Sequence, residues 1–348
     1  MHSGNYKESY GQLVAAIQRP AQPIWLSVLA LCLVGLPLVA SPYAMTLAIK
    51  VLIWVIGIVG LNLLIGGTGL ISLGYSGFLA LGAYASTIVV VRYGLPAVFG
   101  ILFGGAVSAL VSLLVSIPSL RLRDLYLAIT TLAFSLIVTH VILISDGLTG
   151  GSQGLTVPPP TIFGWSIDGD VPLYFFCLAW CVLAVLAVVN LGRSKVGRAF
   201  NAIRDQDIAA SMIGISVTRF KVLAFMISSF FTGISGALLG YQFGYINVDN
   251  FNVLLSIEAV SMVILGGMGS IPGAILGVIF MTLLPEVIRI ASELVGGGAG
   301  ELFSTRGLEV RGLIYGITVV MFVRFQPEGL VGWWHDVKRY WTNWPFTH

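Results

Sequence analysis

Side chains that could carry out catalysis or bind a metal are few in this sequence and widely spaced. No Gly-x-x-x-x-Gly-Lys-Ser/Thr motif is present, so the chain has no P-loop with which to hold a nucleotide phosphate. The histidines show no metal-ligand spacing, and no Ser-His-Asp or Cys-His arrangement can be proposed. The cysteines lie in apolar runs, which favours a packing role over a disulfide or a metal site. We therefore predict no catalytic residue, no metal site, no cofactor in this chain and no enzymatic activity. These histidines and cysteines are His2, His140, His335, His348, Cys32, Cys177 and Cys181.

Two glycine clusters, at residues 60–77 and 264–273, stand out instead. Their cores, residues 64–69 and 264–269, read Leu-Ile-Gly-Gly-Thr-Gly and Ile-Leu-Gly-Gly-Met-Gly. Glycine-interrupted segments at corresponding places in two halves indicate the pathway of a duplicated transporter, and chance similarity is the alternative. Turns set into the bilayer would line a cavity, whereas turns at the cytoplasmic surface would be tight hairpins.

Polar side chains near these glycines are candidates for a translocation pathway. Glu258 is the strongest candidate, because a carboxylate in an apolar span costs free energy and usually faces the protein interior. Its place early in its span also lets it reach the outer surface. Lys50 has the same ambiguity and could extend its ammonium to the interface. The predicted pathway residues are Asn62, Gly66, Gly67, Ser72, Ser76, Tyr84, Glu258, Gly266 and Gly267.

The segment 192–214 is the long polar stretch of the chain, and its pattern predicts a docking helix. At the helical period, Phe200, Ile203, Ala210 and Ile213 fall on one half, and Arg198, Asn201, Arg204 and Asp205 fall on the other. Ile208 and Met212 interrupt the polar half, as expected of a helix that enters a partner's groove. Charges such as Arg204, Asp205 and Asp207 would set the register by electrostatic complementarity. The alternative is a helix lying on its own protein or on lipid headgroups, which would be richer in lysine.

These elements must lie in a membrane protein. Of the 348 residues, 57% are hydrophobic and 9% are charged, against about 25% charged in soluble domains. A net charge of +3 is too small to suggest a nucleic-acid partner. About 20 apolar residues cross the hydrocarbon as a helix. The sequence therefore predicts an all-α polytopic membrane protein of about ten spans (eight to ten), at residues 24–41, 44–65, 70–91, 96–117, 125–144, 172–191, 220–241, 253–267, 272–289 and 308–324.

The basic residues give the expected orientation. With the N-terminus inside, most lysines and arginines fall in cytoplasmic segments, so both termini are predicted to be cytoplasmic. The loop 145–172 is acidic, rich in glycine and proline, and predicted to lie outside as a connector or as the seat of an external partner. We expect a cytoplasmic segment 1–23, a permease domain 24–330 with its coupling loop at 192–219, and a cytoplasmic tail 331–348. No cleavable signal peptide is evident, so the first span is expected to target the chain.

The segments 197–205, 208–210 and 214–217 resemble the cytoplasmic coupling loop of ABC-importer permeases for branched-chain amino acids. The continuations at 221–229 and 233–238 are similar to the same family, as are residues 60–64, 72–74, 82–84, 266–270 and 327–330. Together these matches are specific, although any one of them alone would be weak. They run from about residue 44 to 332.

The resemblance implies a second, related permease, two ABC ATPase subunits that bind ATP with Mg²⁺, and an extracytoplasmic substrate-binding protein, in a bacterial inner membrane. It places Ala209, Ala210 and Gly214 at the ATPase contact. An acidic residue often follows the paired alanines in such loops, whereas Ser211 and Met212 stand here. Similar permeases carry urea or short-chain amides, and an autonomous secondary transporter is the rival from another class. The predicted coupling residues are Gly197, Arg198, Arg204, Asp205, Asp207, Ile208, Ala209, Ala210, Met212 and Gly214.

Overall fold

The computed structural model of the chain describes residues 22–119, 125–162 and 165–295, and isolated residues beyond them, 313, 316–317, 320–321, 324 and 329–332. Its helices are α1 (Gln22–Val39), α2 (Pro42–Thr68), α3 (Tyr75–Tyr93), α4 (Ala97–Ser119), α5 (Leu125–Ile144), α6 (Asp146–Thr149), α7 (Asp170–Arg193), α8 (Lys195–Asp205), α9 (Asp207–Met212), α10 (Val217–Phe243), α11 (Val253–Gly266) and α12 (Ile271–Val295). Short 3-10 turns lie at Gly151–Gln153 and Val248–Phe251.

The all-α polytopic architecture is confirmed. Within the described residues, seven helices are long and apolar enough to cross a membrane, and Ser27–Val39 and Ile271–Val287 are shorter apolar helices. These nine helices correspond to nine of the ten predicted runs. Of the tenth run, 308–324, the structure describes 313, 316–317, 320–321 and 324, all helical. The terminal segments 1–21 and 333–348 lie outside the described residues. The seven long spans are Pro42–Thr68, Tyr75–Tyr93, Ala97–Ser116, Tyr126–Ile144, Asp170–Arg193, Val217–Phe243 and Val248–Gly266.

The centre of the bundle is formed by α2, α3 and α10, whose spans are 78%, 72% and 72% buried. The ring of Trp54 stacks on Tyr75, and the Ser235 hydroxyl donates to the Ile53 carbonyl, so that polar groups in the core are held between helices. The middle of α2 is buried on every side from Leu52 to Gly66. A helix that is apolar all round is expected at such a central position.

Glycines allow α3, α4 and α10 to approach closely. A Cβ added to Gly82 would lie 2.2 Å from the Gly233 carbonyl oxygen, and one added to Gly104 would lie 2.5 Å from the Gly82 carbonyl oxygen. A Cβ on Gly233 would lie 2.5 Å from the Ser108 hydroxyl. Small residues are the usual means of close helix packing in membranes, because no water is released when two helices meet in lipid.

The start of α3 differs from the predicted span 70–91. The helix begins at Tyr75, and residues 69–74 are not helical. Hydroxyl groups accept from two backbone amides of this segment: Thr131 accepts from the Leu73 amide at 2.9 Å, and Ser72 accepts from the Gly74 amide at 3.3 Å. Irregular backbone within a membrane bundle is stable when neighbouring protein groups satisfy it in this way. The apolar composition of the segment concealed this break.

The loop between α5 and α7 has more structure than the connector predicted at 145–172. Strand β1 (Leu155–Thr156) pairs antiparallel with β4 (Tyr245–Ile246), which follows α10. Strands β2 (Thr161–Ile162) and β3 (Trp165–Ser166) form a second antiparallel pair. The β1–β4 pair attaches the loop to the end of α10 that is remote from the coupling loop.

Candidate functional site

The coupling loop begins with a tight reversal between α7 and α8. The Ser194 hydroxyl caps α8 by accepting from the amides of Val196 (3.1 Å) and Gly197 (3.4 Å). Gly197 is buried, and a Cβ there would lie 2.3 Å from the Gly192 carbonyl oxygen. Only a glycine at position 197 permits this close approach. The contact between Gly192 and Gly197 therefore holds α8 against the end of α7.

One face of α8 is embedded in the membrane domain. Phe200 and Ile203 are 1% and 3% exposed, and the Phe200 ring meets Phe220 of α10 edge-on. A Cβ added to Gly67 on α2 would lie 3.7 Å from the β-carbon of Phe200, which is ordinary van der Waals contact. The burial of Phe200 and Ile203 matches the apolar half expected from the helical period. The opposite half, with Arg198, Asn201, Arg204 and Asp205, is exposed.

The Arg204 guanidinium forms its hydrogen bond within the chain, although the sequence pattern predicted a charge directed at a partner. Its Nη1 donates to the Gly66 carbonyl oxygen at 2.8 Å. The same nitrogen would lie 2.5 Å from a Cβ added to Gly269. The side chain therefore contacts both glycine clusters at once, and its contacts join α8 to them.

The coupling loop bends at Gln206, whose backbone is extended, and continues as the short α9. Asp207, at the start of α9, pairs with Lys221 of α10 at 3.4 Å. Ala210 is buried, whereas Ile208, Met212 and Ile213 are 61%, 82% and 75% exposed. The helical period placed Ile213 on the buried half. This placement is wrong because α9 ends at Met212, and the chain then turns through Gly214 at a φ of +90°.

The two glycine clusters come together at the end of the bundle that carries the coupling loop. Helix α2 ends with Gly69 in the left-handed region (φ +74°), and α11 ends with Gly267 (φ +114°). A Cβ on Gly66 would lie 2.0 Å from the Gly269 amide nitrogen. The similar motifs thus lie at helix ends that pack against each other, although the helices end at different positions of the motif.

Asn62 joins the two helix ends by two hydrogen bonds. Its Nδ2 donates to the Ser270 carbonyl oxygen at 3.0 Å, and its Oδ1 accepts from the Gly269 amide at 2.9 Å. Gly329, with a φ of +71°, lies against Gly267 from the other side, where a Cβ would be 2.6 Å from the Gly267 nitrogen. We call the contact of Asn62, Gly66, Gly269 and Ser270 the glycine junction.

A cavity of about 200 Å³ lies beside the glycine junction. It is bounded by α2, α7, α8 and α12, and both polar and apolar atoms line it. Its lining includes Asn62, Gly67, Phe200, Asn201 and Gly269.

The remaining pathway candidates are not part of the junction. The Ser76 amide and hydroxyl are hydrogen-bonded to the Ser256 hydroxyl, both at 2.9 Å, at the start of α3. Tyr84 is 3% exposed and packs against Phe251, before α11. Glu258 is half-buried on α11. Of the predicted pathway residues, Asn62 and Gly66 are thus part of the junction, whereas Ser72, Ser76, Tyr84 and Glu258 lie apart from it.

Sequence reasoning left Gly269, Ser270 and Lys221 out of the predicted site. Gly269 lies within the repeated motif, and its being a glycine could have indicated a close helix contact. Ser270 contributes only its carbonyl oxygen, which no side-chain pattern can reveal. Lys221 was visible only as a basic residue near the loop. Among the described residues, no group of three or more His, Cys, Asp or Glu side chains could hold a metal ion.

Comparison with known proteins gives a consistent result. The family model for the permease component of branched-chain amino acid transport systems matches residues 43–323. The chain is 34% identical over 296 residues to the high-affinity branched-chain amino acid transport system permease protein LivM of Salmonella typhimurium, covering 78% of this chain and 70% of that protein. Identity to LivM of Escherichia coli is 33% over the same length, with the same shares of the two chains.

A second permease type is also similar. LivH of Escherichia coli is 38% identical over 101 residues, which cover 28% of this chain and 32% of that protein. No solved structure gives a significant match. The match to the family model covers most of the chain, from the second helix to beyond the last described one. This protein is a multi-pass membrane protein that belongs to the family of branched-chain amino acid transport permeases.

Proposed function

We propose that this chain is the membrane-spanning subunit of an ATP-driven ABC importer that translocates branched-chain or related amino acids by alternating access. The observation that carries the proposal is the hydrogen bond from Arg204 to the Gly66 carbonyl oxygen. It places the polar coupling loop directly on the ends of two spanning helices. A force on the loop would therefore reach helices that cross the membrane.

The exposed apolar side chains of the loop supply a docking surface for an ATPase subunit. Ile208, Met212 and Ile213 project from a polar segment, and exposed apolar groups of this kind fit a partner's groove. The proposed complex contains a second, homologous permease, two ABC ATPase subunits that bind ATP and Mg²⁺, and an extracytoplasmic substrate-binding protein. LivM and LivH, by their names, belong to one transport system, which supports the pairing of two different permeases.

In the proposed cycle, the ATPases press on α9 when they bind ATP and release it after hydrolysis. Phe200 and Arg204 transmit the displacement of α8 to the ends of α2 and α11. This chain holds the substrate path and performs no covalent chemistry, so hydrolysis takes place in the partner subunits. The basic residues around the loop favour a cytoplasmic position for it, with both termini inside and the protein in a bacterial inner membrane.

The test is reconstitution of the full assembly in proteoliposomes. We expect leucine uptake that requires ATP, the ATPase subunits and the binding protein, and that stops when a non-hydrolysable ATP analogue replaces ATP. Uptake by the permease alone, driven by an ion gradient, would instead support an autonomous secondary transporter. Supplying urea or a short-chain amide with its own binding protein tests the neighbouring substrate classes in the same assay.

A further inference from the structure

Two charged residues in the spanning helices have no part in the coupling mechanism. Lys50 lies on α2, about 12 Å beyond Pro42 at 1.5 Å of rise per residue. Glu258 lies on α11, and the same rise places it about 12 Å from the helix end at Gly266. Both positions fall within segments that are long and apolar enough to span a membrane. Charged side chains in such segments rarely face lipid, because the hydrocarbon cannot solvate them.

The surroundings of the two residues show that they are open to the outside of this chain. On α2, an exposed stripe of Tyr43, Thr46 and Lys50 ends at Lys50, after which the helix becomes buried. On α11, Leu254 and Ile257 are 65% and 47% exposed beside the half-buried Glu258. Because lipid would leave these charges unsolvated, we expect the exposed sides of α2 and α11 that carry them to face a partner subunit or a water-filled cavity.

Lys50 and Glu258 lie on α2 and α11, two helices that pack against each other, but the two side chains are not paired. The ion pairs found within 4.0 Å among the described residues are Lys221–Asp207 and Arg289–Glu286, and neither involves these two side chains. Opposite charges in a low-dielectric region attract strongly, so a gap between them leaves a site for a ligand with two opposite charges.

A third polar group lies close to the same flank. The side-chain nitrogen of Gln242 on α10 donates to the Thr46 carbonyl oxygen at 3.0 Å, one helical turn from Lys50. Its other amide atom, Oε1, is buried and has no hydrogen-bond partner among the described residues. A buried acceptor without a partner is unfavourable, and a ligand with N–H donors would satisfy it.

We propose that Lys50 and Glu258 bind the two charged groups of a zwitterionic α-amino acid on its way through the membrane. The Lys50 ammonium binds the ligand carboxylate, and the Glu258 carboxylate binds the ligand ammonium. The exposed Leu254 and Ile257 lie beside this site and offer contact to an apolar side chain. The inference rests on the proposed transport function and names the residues that recognise the feature common to all amino acids.

The first test compares charge-removing variants in the reconstituted transporter with its binding protein. Lys50→Met and Glu258→Gln are each expected to lower leucine uptake at least tenfold, while ATPase activity stimulated by the binding protein stays within about twofold of the wild type. Lys50→Arg and Glu258→Asp are expected to retain most of the uptake. Thr46→Val is the matched control on the same stripe, because it removes only a hydrogen bond within α2.

A charge exchange separates ligand binding from a structural ion pair. In the double variant Lys50→Glu with Glu258→Lys, reversed charges would bind the zwitterion in the wrong orientation, so uptake is expected to stay below a tenth of the wild type. Recovery of uptake in this variant would mean that the two residues serve only each other, and would overturn the proposal. Unchanged uptake in both single variants would overturn it as well.

Thiol labelling tests the site independently of transport. In a background with Cys32, Cys177 and Cys181 replaced by alanine, Lys50→Cys and Glu258→Cys should react with a membrane-impermeant cationic methanethiosulfonate. Leu183→Cys, on the exposed face of α7, should remain unreactive. Inert thiols at both 50 and 258 would refute the proposed site, whereas a wild-type assembly without ATP-dependent uptake would refute the transport function itself.

Discussion

The two helices of the coupling loop are adjacent in sequence and differ in how they are held. Helix α8 is anchored: Phe200 and Ile203 are buried, and Arg204 is hydrogen-bonded to Gly66. Helix α9 is largely exposed, with Met212 82% exposed and an ion pair to Lys221 at its start. The extended backbone at Gln206 separates them.

In the proposed coupling mechanism, this difference gives the two helices different tasks. An element that transmits force must be tightly coupled to the helices it moves, which α8 satisfies through the glycine junction. An element that receives force must present a surface to another protein, which α9 satisfies with its exposed apolar side chains. The amphipathic pattern in the sequence treats 192–214 as one helix, and only the structure separates the transmitting part from the receiving part.

The largest effect is expected from removing the main anchor of α8. Phe200→Ala leaves a void between α8, Gly67 and Phe220, and large-to-small changes of a buried phenylalanine typically cost about 3–5 kcal/mol. We expect a clear fall in the thermal unfolding midpoint of the purified permease, with loss of uptake. Met212→Ala, on the exposed helix, should leave the midpoint unchanged. Equal midpoints for the two variants would remove the distinction between anchored and exposed helices.

A smaller effect is expected from Arg204, because it makes one charge-assisted hydrogen bond at the junction. Arg204→Gln should cost about 1.5–3 kcal/mol at this contact, and uptake should fall roughly tenfold for each 1.4 kcal/mol lost from coupling. ATPase activity should continue, so the variant would hydrolyse ATP without matching transport. Arg198→Gln is the control, since Arg198 is exposed and, among the described residues, its side chain bonds to the Arg193 carbonyl oxygen alone. A parallel loss of hydrolysis and uptake in Arg204→Gln would place its role at the ATPase contact instead.

The sequence was sufficient for the architecture, because long apolar helices follow directly from composition and length. It was also sufficient to find the buried half of α8, where Phe200 and Ile203 recur at the helical period. The repeated Gly-Gly-x-Gly motif singled out both segments of the glycine junction. The contact between them joins Gly66 and Gly269, which are distant in sequence, so no local sequence pattern predicts it.

Other features were inaccessible because they depend on partners distant in sequence. The direction of the Arg204 side chain is set by a carbonyl oxygen at Gly66, and a surface arginine facing a partner would have the same sequence pattern. The break before α3 depends on Thr131 of α5, which accepts from the Leu73 amide. The short β1–β4 pair joins residues 155–156 to 245–246 through backbone groups, which the pattern of side chains does not reveal.

A third test examines the receiving surface. Met212→Ala removes a side chain that is 82% exposed in the isolated chain, and truncating an apolar anchor in a protein interface typically costs more than 1 kcal/mol. We expect the affinity of the solubilised permease for its ATPase subunits to fall about tenfold, with unaltered thermal stability. Ser211→Ala, the exposed neighbour, should bind normally. Undiminished affinity in the Met212 variant would indicate that α9 does not enter the ATPase groove.

The smallest effect is expected at the ion pair between Asp207 and Lys221, which joins α9 to α10. The Lys221 side chain is 18% exposed and that of Asp207 is 52% exposed, so solvent and salt screen the pair. Such partly exposed pairs contribute about 1 kcal/mol or less. Asp207→Asn should therefore lower uptake by no more than a fewfold, and the difference from the wild type should shrink as salt is raised. Because Lys221 is the less exposed partner, Lys221→Gln should have the larger effect of the two. A loss as large as that of Arg204→Gln would mean that α9 also transmits force directly to α10, and the division of tasks between the two helices would no longer hold.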